Sequence, residues 1–222
     1  MGGGVMSFAP STFHAGTGED FFRQEGYLVD GMVPLVTGRD TWPTFDAQLS
    51  GGAAITITNS VAAMASNNVN TQGGYNLGAT YTKLLAMTYC VPSTADWGAV
   101  IAFNEGTFNT SSDGNDKYEC VNYGGVSKSV IYKKTTSYTS IGEEATIYQD
   151  DVVTSAVIGT AFYVSGNGGS DADIKMFYKG GTSEWFPILS VTDGAYSTFQ
   201  SVHFTAKGSS GRYICPMMVW GS

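Results

Sequence analysis

Charge is scarce in this chain: 14% of its 222 residues are Asp, Glu, Lys or Arg, against roughly 25% in an ordinary globular domain. Histidine is scarcer still, with only His14 and His203. A hydrolytic triad needs a base beside its nucleophile. His203 lies in Ser201-Val202-His203-Phe204-Thr205, where alternation sets it opposite Val202 and Phe204, and no Gly-x-Ser-x-Gly elbow accompanies it. It therefore reads as a surface or interface histidine. The acid pairs Glu143-Glu144 and Asp150-Asp151 sit between strand patterns and read as hydrated loop residues, not as a glycosidase pair. Gly166-Asn167-Gly168-Gly169 lacks the Lys-Ser/Thr of a phosphate loop. No catalytic centre and no cofactor are expected.

Further shortages bound the setting. Cys90, Cys120 and Cys215 are an odd set in apolar or strand-like contexts, without the close spacing of a metal knuckle. Buried free thiols are expected, with one disulfide plus one free cysteine as the alternative. No run of 18 apolar residues occurs, so no membrane-spanning helix is expected. Met1-Gly2-Gly3-Gly4-Val5-Met6 lacks the basic and apolar regions of a signal peptide, and synthesis in a cytoplasm is the expectation. The formal charge of −8 and pI near 4.5 argue against a nucleic-acid partner, because phosphate binding needs clustered cations. Lys128, Lys133 and Lys134 come closest to a basic run and read as a solvated strand face.

What is abundant is strand and turn chemistry: 29 Gly, 13 Tyr and 12 Phe, with many Ser and Thr. Alternating segments occur at 53–58, 81–90, 99–104, 118–123, 130–134, 145–149, 157–165, 174–178, 185–191, 201–206 and 213–220. Gly-rich and Asx-Gly turns separate them, among them Ser112-Asp113-Gly114-Asn115, Gly180-Gly181 and Asp193-Gly194. This pattern predicts an all-β fold, one antiparallel β domain over residues 51–222 built as a sandwich or a barrel. A short helical connector is expected within 59–68, followed by an exposed polar loop over 67–76.

Residues 1–50 differ. They hold three of the six prolines and Phe8, Phe13, Phe21, Phe22, Tyr27, Trp42 and Phe45 among glycines, without sustained alternation. Gly18 to Glu25 predicts one or two helical turns, stopped by Gly26. Rings without a fold of their own must be covered, so 1–50 is expected to be an extended N-terminal arm. Its Phe8, Phe13, Phe21 and Phe22 are expected to bind a partner or an adjacent copy.

Two ligand classes have candidate residues here. Asp113-Gly114-Asn115-Asp116 and Gly168-Gly169-Ser170-Asp171-Ala172-Asp173 carry the hard oxygens that calcium takes, but they lack EF-hand spacing and read as turns. Trp97, Trp185 and Tyr123, with Asn122 and Asn167, are the candidates for a glycan site, since sugars stack on exposed rings and bond to amides. A β core and its interfaces consume the same rings, and that reading is preferred.

The Gly/Ser/Thr/Asn-rich β region, the glycine-led arm, the low charge and the aromatic terminus Trp220-Gly221-Ser222 resemble virion proteins of tailed bacteriophages. The likeness is to capsid decoration (cement) proteins and short head or tail fibre proteins. It covers the full length as a matter of style and carries no residue-level role. The resemblance implies an antiparallel jelly-roll-like β-sandwich and a non-enzymatic structural virion protein, a capsid decoration (cement) protein that binds the outside of a phage shell and self-associates as a homotrimer, made in the host cytoplasm, with the arm on the major capsid protein or another virion protein. The alternative is a fibre or receptor-binding, carbohydrate-binding lectin-like module.

Overall fold

The computed structural model describes residues 16–37, 47–49, 55–58, 61–64, 72–91, 97–109, 116–123, 128–145, 158–166, 171–180, 184–206, 212–213 and 217–222. Among the described residues one helix, α1 (Gly16–Gln24), precedes sixteen strands. These are β1 (Val33–Thr37), β2 (Ala47–Leu49), β3 (Ile55–Thr58), β4 (Val61–Met64), β5 (Gln72–Tyr81), β6 (Lys83–Val91), β7 (Trp97–Asn104) and β8 (Lys117–Tyr123). They continue with β9 (Lys128–Lys134), β10 (Tyr138–Ala145), β11 (Ile158–Ser165), β12 (Ala172–Gly180), β13 (Phe186–Asp193), β14 (Phe199–Ala206), β15 (Arg212–Tyr213) and β16 (Met218–Gly221).

The strands form two antiparallel sheets. The seven-stranded sheet runs β10-β9-β8-β7-β14-β5-β2. The nine-stranded sheet runs β13-β12-β11-β6-β15-β4-β3, with β16 also on β6 and β1 outside β16. Pro34 and Pro187 lie in β1 and β13, at the margins of that sheet, where a missing N–H breaks no ladder. Between the sheets sits an apolar core that includes Leu84, Ile101, Phe103, Tyr118, Cys120, Phe162, Val164, Met176, Val202 and Phe204. Phe103 stacks on Phe162, centroids 4.9 Å apart. Burial pushes the Cys120 thiol up, which keeps it protonated and inert; the Cys90 side chain and Cys215 lie outside the described residues.

Polar bridges also join the sheets. Asn122 Nδ2 donates to Thr160 Oγ1 (2.9 Å), and Ser129 Oγ donates to Asn122 Oδ1 (2.7 Å). At one end Tyr118 OH donates to Asp193 Oδ1 (2.7 Å) and Lys133 Nζ pairs with Asp193 Oδ2 (2.6 Å). Burial opposes ionisation of Asp193, but the bonds from Lys133, Tyr118 and the Ala195 N–H outweigh it and hold the carboxyl below its usual range.

Several expectations need correction. Residues 61–64 are a strand, not a helical connector, because Ile55–Thr58 offers them a partner along their whole length. Residues 72–76 open β5 rather than forming an exposed loop, and 72–75 are buried. A strand at Tyr138–Ala145, paired with β9, was not expected, and residues 146–149 of the strand expected at 145–149 lie outside the described residues. The first fifty residues do not stand apart from the sandwich throughout: β1 pairs with β16 and β2 with β5. The expected helix is present. Glu19 lies in its first turn and Arg23 in its last, matching the helix dipole, and Gly26 at φ 77° closes it.

α1 covers the outer face of the nine-stranded sheet. There Leu85, Met87, Tyr89, Ala161, Tyr163, Phe177, Met218 and Trp220 form a second apolar cluster with Phe22, Leu28, Met32 and Trp185. Phe22 meets Phe177 edge to face at 5.1 Å and tilts against Trp185 at 5.3 Å. Burial on both faces explains why seven successive residues of β11, Ile158 to Val164, are all buried.

Candidate functional site

The outer face of the seven-stranded sheet has different chemistry. Side chains alternate along a strand, so where Ile101, Phe103, Tyr118, Cys120, Ile131 and Val202 point inward, their neighbours point away from the core. Strand register places these neighbours in adjacent transverse rows, of which one is apolar and fully buried (Val100, Val121, Val130) and two carry polar groups. One polar row runs Gly74, His203, Ala102, Glu119, Tyr132, Ser140. The next runs Asn76, Ser201, Asn104, Lys117, Lys134, Tyr138. Ala102 lies between His203 and Glu119, and its small side chain leaves room for the longer groups around it to meet.

They do meet. Lys117 Nζ lies 3.2 Å from Glu119 Oε2, with the two side chains 1% and 3% exposed. Lys117 Nζ is also 3.4 Å from His203 Nε2, and Tyr138 OH donates to Glu119 Oε2 at 3.4 Å. Desolvation, then the charges of Lys117 and Lys134, hold His203 well below the usual histidine range, so its ring is neutral. An ammonium can only donate. Nε2 is therefore the acceptor and Nδ1 carries the proton, and that buried Nδ1 finds no partner among the described residues.

The cluster has a lid and a platform. Phe108 stacks on His203, centroids 5.0 Å apart and planes 24° apart. It rests where Gly74 leaves space, since a Cβ at 74 would collide with its ring. Asn76 clamps this segment by accepting from the Phe108 N–H (2.8 Å) and donating to the Phe108 carbonyl (3.2 Å). Tyr138 is 41% exposed and meets Tyr132 edge to face at 5.9 Å. Lys117 Nζ and Lys134 Nζ lie 5.3 and 5.1 Å from its ring centre. An accessible phenol ring is thus backed by two ammonium groups, a carboxylate and a neutral imidazole.

The residues expected from sequence are elsewhere. Trp185 is 3% exposed beneath α1, so the arm removes it from consideration as a sugar-stacking ring. Trp97 and Tyr123 are register partners on β7 and β8, with side chains outside the described residues. Asn122 is spent on the inter-sheet bridge. Phe21 and Phe22 pack against this chain's own Phe177, where an intermolecular surface was expected; Phe8 and Phe13 lie outside the described residues. His203 is buried at the centre of the polar rows, not at the surface, because Phe108 covers it. Lys133 turns inward to Asp193 while Lys134 turns outward to Tyr138, so the basic run is not one solvated face. Lys117, Glu119 and Tyr138 carried no sequence signal. The Asp113 loop and Asp150-Asp151 fall wholly or largely outside the described residues, and no group of three His, Cys, Asp or Glu able to hold a metal occurs within them.

No family model matches this sequence and no curated protein matches it. Solved structures do. A Bauhinia forficata lectin in complex with GalNAc aligns with TM-score 0.56 at 11% identity, covering 86% of this chain and 99% of the lectin. The VIP36 exoplasmic/lumenal domain in its Ca2+/Man3GlcNAc-bound form aligns with TM-score 0.52 at 9% identity, covering 76% and 81%. A mutant of alginate lyase Aly36B in complex with alginate trisaccharide aligns with TM-score 0.50 at 11% identity, covering 79% and 87%. At such identities the shared property is the fold: this chain is a jelly-roll β-sandwich similar to those of lectins.

Proposed function

We propose that the chain is a non-enzymatic, carbohydrate-binding lectin-like module whose ligand lies on the outer face of the seven-stranded sheet. The observation that carries this is the Tyr138 platform, an accessible ring beside Tyr132 with the Lys134 ammonium 5.1 Å from its centre. Sugars are bound by a ring face for their C–H surface and by polar groups for their hydroxyls. The saccharide complexes among the similar folds support the reading. The opposite outer face supports it by contrast, since α1 already covers it.

The virion resemblance supplies a setting: a fibre or head protein, trimeric, that carries the module to a glycan-coated surface. Phe21 and Phe22 are engaged within their own chain, so any shell contact falls to other residues. The solution mass of the full chain tests the trimer. A glycan array and affinity electrophoresis test the function. Retention on at least one saccharide, abolished by Tyr138→Ala with melting temperature unchanged, is the expected result. No retained saccharide, or retention indifferent to Tyr138→Ala, contradicts it.

A further inference from the structure

We infer that the saccharide taken by this face is an acidic one, a polysaccharide bearing carboxylate or sulfate groups, bound with its anion beside Lys134 and a sugar ring on Tyr138. The inference rests on the carbohydrate-binding reading and names the ligand class for it. Three observations carry it.

The first is the charge of the two rows. They hold Lys117 and Lys134 against the single carboxylate of Glu119, while His203 is neutral, so the face is locally positive on a chain of formal charge −8. The second is where those cations sit. Both ammonium groups lie within 5.3 Å of the Tyr138 ring centre. A sugar on that ring meets a positive field, and an anionic substituent gains where a neutral hydroxyl does not. The third is the chemistry of what lies beneath. The Glu119 oxygen already accepts from Lys117 and Tyr138 and stands 4.0 Å from His203 Nε2. The buried His203 Nδ1–H is one more donor, with no acceptor among the described residues. A buried ion pair adds little net stability. Holding Lys117 there serves better to fix a cation under the ring than to strengthen the fold.

The test uses the full chain in affinity electrophoresis and calorimetry with three probes: an alginate oligosaccharide, dextran sulfate and neutral dextran. Alginate, dextran sulfate or both should bind and dextran should not; which of the two binds identifies carboxylate or sulfate as the anion. Binding should weaken steeply as sodium chloride rises from about 50 to about 500 mM, because exposed charges are screened over that range. Lys134→Gln, at a half-buried position that tolerates the change, should weaken binding about tenfold, the effect of losing one charge-assisted hydrogen bond, and Lys134→Arg should restore most of it. Salt-independent binding of dextran as tight as that of alginate, unaffected by Lys134→Gln, overturns the acidic class and leaves the carbohydrate reading standing. If neither these probes nor any saccharide on the array is retained, both fall.

Discussion

The two outer faces of the sandwich obey the same alternation and end in opposite states. On the nine-stranded sheet the outward residues are Leu85, Met87, Tyr89, Tyr163, Phe177, Met218 and Trp220, and the chain covers them with Phe22, Leu28, Met32 and Trp185. On the seven-stranded sheet a fully buried apolar row, Val100, Val121 and Val130, lies beside the polar His203, Glu119, Lys117, Lys134, Tyr132 and Tyr138; Phe108 stacks on His203, and Tyr138 is the large ring left exposed among these described residues. Apolar outward positions force the chain to supply its own lid, because each large side chain taken from water is worth about 1.5 to 3 kcal/mol. Polar outward positions exert no such pressure. Tyr138 stays exposed there, and the proposed function puts the ligand on it.

The comparison breaks most visibly through stability. Phe22→Ala should cost about 3 to 5 kcal/mol, as for other buried phenylalanines, read by urea denaturation, with saccharide binding unchanged. On the other face, Glu119→Leu alone should cost a similar amount, about 3 to 5 kcal/mol, because Lys117 would be left buried without its carboxylate. Adding Lys117→Met should recover most of that loss but not the binding. If Phe22→Ala abolished binding while leaving the fold intact, the two faces would not have separate roles.

The pH response sharpens the contrast. His203 titrates far below its usual 6.5 in the folded state, so below that pH the unfolded chain takes up a proton that the folded chain refuses. Stability is therefore full above about pH 6.5 and falls with acid by up to about 1.4 kcal/mol per pH unit until the folded ring protonates. His203→Gln should remove that slope, measured as melting temperature between pH 7 and pH 5. Among the described residues the opposite outer face offers no buried group that titrates there: burial raises the Tyr163 hydroxyl further above its usual 10. The smallest effect is expected at Lys128, whose pair with Glu143 is a third to half exposed; Lys128→Gln should cost less than about 1 kcal/mol.

Much of this fold is legible from periodicity, and the reasons for the misses are specific. The strands around Phe103, Phe162 and Val202 announce themselves by alternation. Val61-Ala62-Ala63-Met64 has helix-forming composition, and only its pairing with Ile55–Thr58 makes it a strand. Gln72-Gly73-Gly74-Tyr75-Asn76 looks like a loop because its Gly74 serves a ring more than thirty residues away, that of Phe108. The site was less visible than the fold. Lys117 and His203 are 86 residues apart, and no local pattern marks either. Trp185 looked like a sugar-stacking ring because a sequence does not show that a helix near the N-terminus lies over it.

The most direct measurement is an amide chemical-shift titration of isotope-labelled protein with an alginate oligosaccharide. Shifts concentrated at Tyr132, Lys134, Tyr138, Glu119 and His203, with α1 and Phe177 silent, are the result expected if the polar face holds the saccharide. Shifts centred on α1 and the aromatic cluster beneath it, or on loops remote from Tyr138, would contradict that assignment.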